Sequence, residues 1–145
     1  MESADEIWHA GDVGDLSVLD QLPAGKIHRI ITGNIDGTEA RQELPEELFF
    51  EVEAVKIYML HIGGKPPYYA KGVKNKLKSY SPQLFVCGHS HICKVEFDHA
   101  LHVLYMNPGA VGNHGFHVVK TMLLFELDQG QIKNLRVVEL GKRGK

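Results

Sequence analysis

Five side chains that can bind a metal ion stand at the ends of apolar stretches in this chain. They are Asp12, Asn34, His61, His89 and His91. In an open α/β sheet, ligands bind outside the carboxyl ends of the strands, so side chains that are distant in sequence can meet in one crevice. Burying two imidazoles as close in sequence as His89 and His91 would be costly unless they had a binding partner. The sequence therefore predicts a metal site.

The donor types indicate which metal would bind. One carboxylate, one amide and three imidazoles, with no required thiolate, suit Mn²⁺, Zn²⁺ or Fe²⁺ better than Ca²⁺, which prefers oxygen ligands. Each residue alone has a plainer explanation, because Gly-Asp is a common turn dipeptide and a histidine at a strand end is usually structural. Their joint occurrence at successive strand ends favours the metal site.

The elements that would position these donors are mainly strands. Apolar runs predict strands over residues 6–9, 26–32, 49–52, 55–60, 83–87, 93–97, 101–106, 118–127 and 131–140. Asp15 is a candidate N-cap for a helix ending near Leu22, and a 3.6-residue period predicts a helix over Tyr69–Tyr80. Strands and helices alternate first and antiparallel strands follow, which indicates an α/β fold with two packed sheets.

Length and composition indicate one globular domain spanning residues 1–145, with 43% hydrophobic and 23% charged residues. The formal charge of −2 predicts no non-specific binding to nucleic acid or anionic membranes. The apolar runs are too short for a transmembrane helix. Two cysteines and the absence of a signal peptide indicate a reducing, cytoplasmic compartment.

The ordered motifs resemble the calcineurin-like metallophosphoesterase superfamily, and within it the small bacterial phosphodiesterases. The residues that carry this resemblance are Gly11-Asp12, Gly33-Asn34, His61, Gly88-His89-Ser90-His91 and Asn107-Pro108-Gly109. The resemblance covers nearly the whole chain. It implies a four-layer α/β/β/α sandwich and a hydrolytic centre holding one or two divalent ions. Mn²⁺ is the expected ion, with Zn²⁺, Fe²⁺ or Ni²⁺ as alternatives.

The resemblance also implies a role for each donor. Asp12 would bridge two ions; Asn34, His61 and His89 would complete the shell of one ion, and His91 would bind the other. Two divalent ions about 3.5–4 Å apart can generate a hydroxide and neutralise a phosphoryl group. Asp12, Asn34 and His61 are thus predicted to be catalytic in a phosphodiesterase whose metal-bound hydroxide attacks a small-molecule phosphate ester.

One motif of that family is missing here. The family opens with a strand ending in Asp-x-His, which supplies ligands to the first ion, and Asp5 and His9 are spaced too far apart to replace it. We therefore expect a sandwich lacking its first strand, through N-terminal truncation or natural variation, with an unpaired strand edge and an uncovered apolar face. One ion should fill the site of Asn34, while the other site is filled weakly or not at all. The open edge could promote a homo-oligomer.

A second departure concerns the proton for the leaving group. In many larger relatives a histidine follows the asparagine, whereas Ile35 follows Asn34 here, as in the small bacterial members. An aliphatic side chain cannot act as a general acid. The sequence therefore predicts a preference for aryl over alkyl phosphodiesters.

Four other residues are candidate substrate contacts: Lys65, Asn107, His114 and His117. Lys65 lies in a glycine-rich loop and could meet a phosphate, although a solvated loop explains it as well. The other three lie in a glycine-rich stretch whose backbone N–H groups could bind a phosphate oxygen.

Asp36 and the two cysteines each leave two interpretations open. Asp36 could orient Asn34 or a ligand histidine, or simply stabilise its own turn. Cys87 and Cys93 could form a structural zinc site with the neighbouring histidines, but their spacing misses the usual patterns and the apolar run around Cys87 favours plain packing.

A non-catalytic interaction scaffold of the same fold is the alternative function. The family resemblance extends to a eukaryotic scaffold subunit with an impaired metal site, and the missing Asp-x-His motif fits that comparison. All five donors are nevertheless present, and a scaffold has no chemical need for them. The sequence does not identify the physiological substrate.

Overall fold

Strands form most of the part of the chain that the structure, a computed structural model, describes, residues 3–144. They are β1 (Glu6–His9), β2 (Ile27–Ile30), β3 (Glu47–Val52), β4 (Val55–Leu60), β5 (Gly64–Lys65), β6 (Tyr68–Tyr69), β7 (Leu84–Val86), β8 (Cys93–Asp98), β9 (Val103–Pro108), β10 (Val119–Asp128) and β11 (Gln131–Lys142). The helices are α1 (Thr38–Glu43), α2 (Val73–Tyr80) and a 3₁₀ helix (Leu16–Gln21). Each predicted strand is present, with small shifts at its ends. No helix in residues 3–144 is long and apolar enough to cross a membrane.

The central sheet has five strands in the order β3-β4-β7-β9-β8. β4, β7 and β9 are parallel, and the edge strands β3 and β8 are antiparallel to their neighbours. Because β4 and β7 are parallel neighbours, the residues that follow them emerge at the same edge of the sheet. His61 follows β4, and Gly88-His89 lies just beyond β7.

Both faces of this sheet are covered. One face carries a buried cluster that includes Ile57 and Met59, and it packs against side chains of β1, β10 and β11. The other face packs against α2 through residues such as Tyr58, Phe85 and Leu77. Burial on both faces accounts for the nearly continuous apolar sequence of β4 and β7. The structure is an α/β sandwich, as the sequence predicts.

A cleft separates β1 from β10. Within residues 3–144, β1 pairs only with β2, in parallel, and β10 pairs only with β11, in antiparallel fashion. The cleft has a volume of about 910 Å³, and its lining includes the apolar side chains Trp8, Val86, Met106, Leu123 and Phe125. Among the described residues, β1 and β10 thus each have one unpaired edge, and these edges border a cleft lined in part by apolar side chains.

Two helices differ from the sequence-based prediction. Asp15 is an N-cap, as predicted, and accepts a hydrogen bond from the Ser17 N–H at 2.9 Å, but the residues that follow form a 3₁₀ helix. The second helix begins at Val73 rather than at Tyr69. The preceding Gly72 has a φ of +82°, which interrupts the helix, and Tyr69 pairs with Gly64 between β6 and β5.

Glu6 links β1 to β2 and should make stability depend on pH. Its carboxylate accepts hydrogen bonds of 2.8 Å from both Trp8 Nε1 and Arg29 Nε. Burial alone would raise the pKa of Glu6, but the bonds from Arg29 and Trp8 outweigh it and hold the pKa below its usual value. A depressed carboxyl pKa stabilises the folded state above the usual value, and this contribution is lost as the pH falls through the lowered pKa.

We therefore expect the free energy of unfolding to fall more steeply on acidification in the wild type than in Glu6→Gln. Urea denaturation between neutral pH and about pH 3 measures the difference. Glu51→Gln, at an exposed position of β3, is the control and should keep the wild-type slope. Identical slopes for wild type and Glu6→Gln would contradict the prediction.

Candidate metal centre

Four of the five predicted donors meet just beyond the ends of β1, β2, β4 and β7. The ligand atoms of Asp12, His61 and His89 all lie within 4.8 Å of one another. Asn34 Oδ1 lies 3.0 Å from His61 Nε2 and 2.9 Å from His89 Nδ1, so the amide oxygen sits between the two imidazoles. His61 is buried, whereas Asn34 and His89 are exposed. The donors therefore form one centre that is open to solvent.

The orientation of His61 prepares this centre for a cation. Its Nδ1 lies 2.7 Å from the Ala10 carbonyl oxygen, and because a carbonyl only accepts, Nδ1 carries the proton. In the neutral ring Nε2 then has a lone pair, which faces Asp12 Oδ1 at 3.2 Å and Asn34 Oδ1 at 3.0 Å. A ligand histidine commonly donates its other N–H to a carbonyl in this way. With the His61 ring neutral, three acceptor atoms converge, so the residues fit a divalent cation.

The backbone around the centre is strained. Asp12, His89 and His91 have φ values of +57°, +66° and +59°, in the left-handed region. For residues other than glycine such conformations cost roughly 1–3 kcal/mol each, and they cluster at functional sites. Gly33 lets the two ligand loops meet, because a Cβ atom there would lie 2.1 Å from Asp12 Oδ1. The glycines of the motifs therefore permit close approach.

Asp36 joins the loop of Asp12 to the loop of Asn34. Its carboxylate accepts hydrogen bonds from the backbone N–H groups of Val13, Gly14 and Gly33 at 3.1, 2.8 and 2.7 Å. Burial tends to raise the pKa of Asp36, but these three N–H groups outweigh it and hold the pKa below its usual value. The contacts of Asp36 are with the turns of the two loops. They act on the metal donors by fixing the backbone.

His91 lies apart from the group formed by Asp12, His61 and His89. Its ring packs edge-on against His117, with 5.2 Å between centroids. Burial, followed by the neighbouring His117, lowers the pKa of His91, which favours the neutral ring that binds metals.

Asn107, a predicted substrate contact, is directed into the protein. It is wholly buried, and its Nδ2 donates to the Gly88 carbonyl at 2.8 Å and to Ser90 Oγ at 3.1 Å. Its Oδ1 accepts a hydrogen bond from the Gly109 N–H at 3.0 Å. Because the polar atoms of its side chain are engaged inside the protein, Asn107 holds the loop that carries His89. Its contact with substrate stays a prediction.

The other three candidate substrate contacts occupy different surroundings. His117 is 9% exposed, and its Nε2 lies 3.0 Å from the Gly112 carbonyl oxygen. A contact between His117 and substrate stays a prediction. His114 is exposed on the same loop. Lys65 is exposed on β5. His114 and Lys65 stay predictions.

The chemistry of Cys87 disfavours a structural zinc site. The residue is wholly buried, and burial raises the pKa of its thiol well above the usual range. Zinc ligation needs the thiolate, which an apolar environment destabilises. Packing as a small hydrophobic side chain accounts for Cys87.

Comparisons with known proteins agree with this fold. The model of the calcineurin-like phosphoesterase superfamily domain matches residues 1–130, whereas no curated protein matches the chain. Wild-type Vps29 from Entamoeba histolytica complexed with Zn²⁺ is 16% identical, with a TM-score of 0.71 over 93% of this chain and 82% of that chain. A Thermotoga maritima protein solved by NMR is 26% identical, with a TM-score of 0.66 over 96% and 83%. A novel archaeal phosphodiesterase is 20% identical, with a TM-score of 0.71 over 96% and 85%.

The family match extends over most of the chain and includes all five predicted donors. The solved structures share its α/β sandwich over nearly its whole length. This chain therefore belongs to the calcineurin-like phosphoesterase superfamily.

Proposed function

We propose that this protein is a metal-dependent phosphodiesterase. The observation that carries the proposal is the convergence of acceptor atoms from Asp12, Asn34 and His61, with His89 alongside, in a centre open to solvent. Mn²⁺ is the ion we expect there, with Zn²⁺, Fe²⁺ or Ni²⁺ as alternatives. A divalent ion supplies Lewis acidity, which neutralises phosphoryl charge and makes a water acidic enough to attack phosphorus.

The residues of the centre divide the remaining tasks. Asp12 provides the negative charge that favours a cation, and the Ala10 carbonyl holds the His61 ring so that its Nε2 lone pair faces the centre. Asn34 directs its Oδ1 toward the imidazoles and is exposed, which leaves its Nδ2 available to donate to a phosphoryl oxygen. His89 is exposed at the mouth of the centre, where it meets both ion and solvent.

The proposal predicts hydrolysis of bis-p-nitrophenyl phosphate that depends on Mn²⁺. Purified protein stripped of metal with a chelator should be inactive and should recover on addition of Mn²⁺, measured as p-nitrophenol release. Mg²⁺ at the same concentration controls for ionic effects, since imidazole ligands suit Mn²⁺ better. Should Mn²⁺ make no difference to a well-folded sample, the phosphodiesterase proposal fails.

The surroundings of the donors predict a preference for aryl leaving groups. Apolar residues directly follow three of the donors, and all three are exposed: Ile35, Ile62 and Ile92. These side chains cannot protonate a leaving oxygen, but they can contact an aromatic ring. We expect the rate to rise steeply as the pKa of the leaving phenol falls.

Turnover of a series of aryl phosphodiesters with phenols of graded pKa measures this dependence. Ile35→His places a possible acid beside Asn34 and should make the dependence shallower, whereas Ile35→Leu should leave it as it is. A flat profile in the chemical step of the wild type would count against the prediction.

A non-catalytic interaction scaffold is the second candidate function. Fully exposed Phe116 and largely exposed Val118 favour it, because apolar side chains on a surface often mark protein contacts. The structure of Vacuolar Protein Sorting 29 from Cryptosporidium parvum is similar to that of this chain. A scaffold would tolerate loss of His61 without loss of function, so the retained donors favour the phosphodiesterase.

A further inference from the structure

We propose that His117 is a ligand of a second divalent ion, which it binds together with His91. His117 lies outside the motifs that carry the family resemblance. This inference rests on the proposed function in one respect: the second ion would lie near the ion of the proposed metal centre.

The hydrogen bonding of His117 leaves one ring nitrogen ready for a cation. Nε2 lies 3.0 Å from the Gly112 carbonyl oxygen, and because that oxygen only accepts, Nε2 carries the proton. In the neutral ring Nδ1 therefore holds a lone pair. This atom is buried, and it has no hydrogen-bond partner among the described residues. The residue as a whole is only 9% exposed. A buried polar atom without a partner is costly, and a bound cation would satisfy it.

The free nitrogen of His117 and Nδ1 of His91 both lie close to Gly115. A Cβ atom placed on Gly115 would lie 2.1 Å from His91 Nδ1 and 3.2 Å from His117 Nδ1. The two rings lie edge-on at 82°, with 5.2 Å between centroids. Gly115 has a φ of +123°, which also favours glycine. A side chain at position 115 would collide with His91 Nδ1 and press on His117 Nδ1, so glycine is needed there for both nitrogen atoms to lie close to the same point of the backbone.

The donor set determines the character of this second site. Two imidazoles suit Zn²⁺, Mn²⁺ or Co²⁺, and the negative charge of Asp12 acts on His91. Within the described chain, no third His, Cys, Asp or Glu completes a group of mutually close ligand atoms with these two. Water or a phosphoryl oxygen must supply the remaining ligands, so the ion should bind more weakly than the one beside His61. His117 would thereby compensate in part for the missing Asp-x-His ligands.

Metal stoichiometry of the purified, metal-free protein tests the proposal. Titration with Zn²⁺ by calorimetry, with metal content measured after dialysis, should show one tight and one weaker ion in the wild type. His117→Ala should keep the tight ion and weaken the second by about tenfold or more. His28→Ala, which removes an exposed histidine of β2, is the control and should bind both ions like the wild type.

A measurement on the wild type avoids dependence on the folding of a variant. With ¹⁵N-labelled histidine, the Nδ1 resonance of His117 should shift when the second equivalent of Zn²⁺ is added. The proposal is overturned by an unchanged His117 resonance, by a wild type that binds a single ion, or by His117→Ala retaining both ions at wild-type affinity.

The two proposals can fail separately. In His61→Ala the tight ion should be lost while the His117 resonance still responds to Zn²⁺. A second ion at His117 without any hydrolysis would support this inference and defeat the phosphodiesterase. Hydrolysis by a protein whose His117 resonance does not respond to Zn²⁺ would support the phosphodiesterase proposal and overturn the proposed second ion.

Discussion

Replacing His61 with alanine should abolish Mn²⁺-dependent hydrolysis and weaken the tight ion by more than about 100-fold. Loss of a residue that merely orients a ligand already costs about 10–100-fold in metal affinity, and His61 itself faces the centre. The His61→Ala variant keeps the oxygen ligands Asp12 Oδ1 and Asn34 Oδ1 but lacks the imidazole nitrogen that would bind the cation together with them. Calorimetric Mn²⁺ titration and initial rates with bis-p-nitrophenyl phosphate measure the two effects.

His28→Ala is the matched control for this experiment. His28 is exposed on β2 and bonds to the Pro23 carbonyl, so its loss should change neither affinity nor rate. His61 is buried, and its truncation leaves a cavity; His61→Gln fills more of that space and should lose the ion as well. Tight Mn²⁺ binding by a folded His61→Ala protein would show that the centre has been assigned to the wrong residues.

Replacing Asp36 with alanine should lower the free energy of unfolding by about 2–4 kcal/mol and weaken metal binding as well. The variant leaves the Val13, Gly14 and Gly33 N–H groups without their acceptor, and each buried, unsatisfied group costs about 1–3 kcal/mol. Gly14 is exposed and can bind water instead, so its share is smaller. Urea denaturation in the presence of a chelator isolates the effect on stability.

Asp15→Ala provides the control for a lost carboxylate acceptor. The Asp15 side chain caps a single N–H at the surface, and loss of such a cap costs about 1 kcal/mol. Because the pKa of Asp36 is depressed, the stability difference between wild type and Asp36→Ala should shrink as the pH falls through the lowered pKa. An Asp36→Ala protein no less stable than Asp15→Ala would disprove the role of Asp36 in joining the loops.

Local sequence predicts the strands well and the helices poorly. The run Val55–Leu60 predicts β4 correctly, because a strand buried on both faces needs consecutive apolar residues. Helix α1 has no comparable signal. Its N-cap, Gly37, makes no side-chain hydrogen bond, and Ala40 is its single buried residue. The predicted start of the second helix at Tyr69 is wrong because pairing in a short hairpin outweighs helical periodicity there.

Residue type and order by themselves predict the kind of chemistry for which this protein is suited. Carboxylate, amide and imidazole donors at strand ends predict a metal centre, because the ends of neighbouring parallel strands share one edge of a sheet. Only the tertiary structure decides how those donors are held. The Ala10 carbonyl that orients His61 is a backbone group, common to every residue, and leaves no mark in the sequence.

The same reason explains why the sequence does not predict the positions of Asn107 and His117. Both lie in a glycine-rich stretch that is typical of phosphate binding, yet Asn107 is directed inward to the Gly88 carbonyl and His117 is buried beside His91. Inward or outward orientation of a loop side chain depends on contacts with residues far away in sequence. Such contacts form only when the strands have packed, and a local pattern carries no information about them.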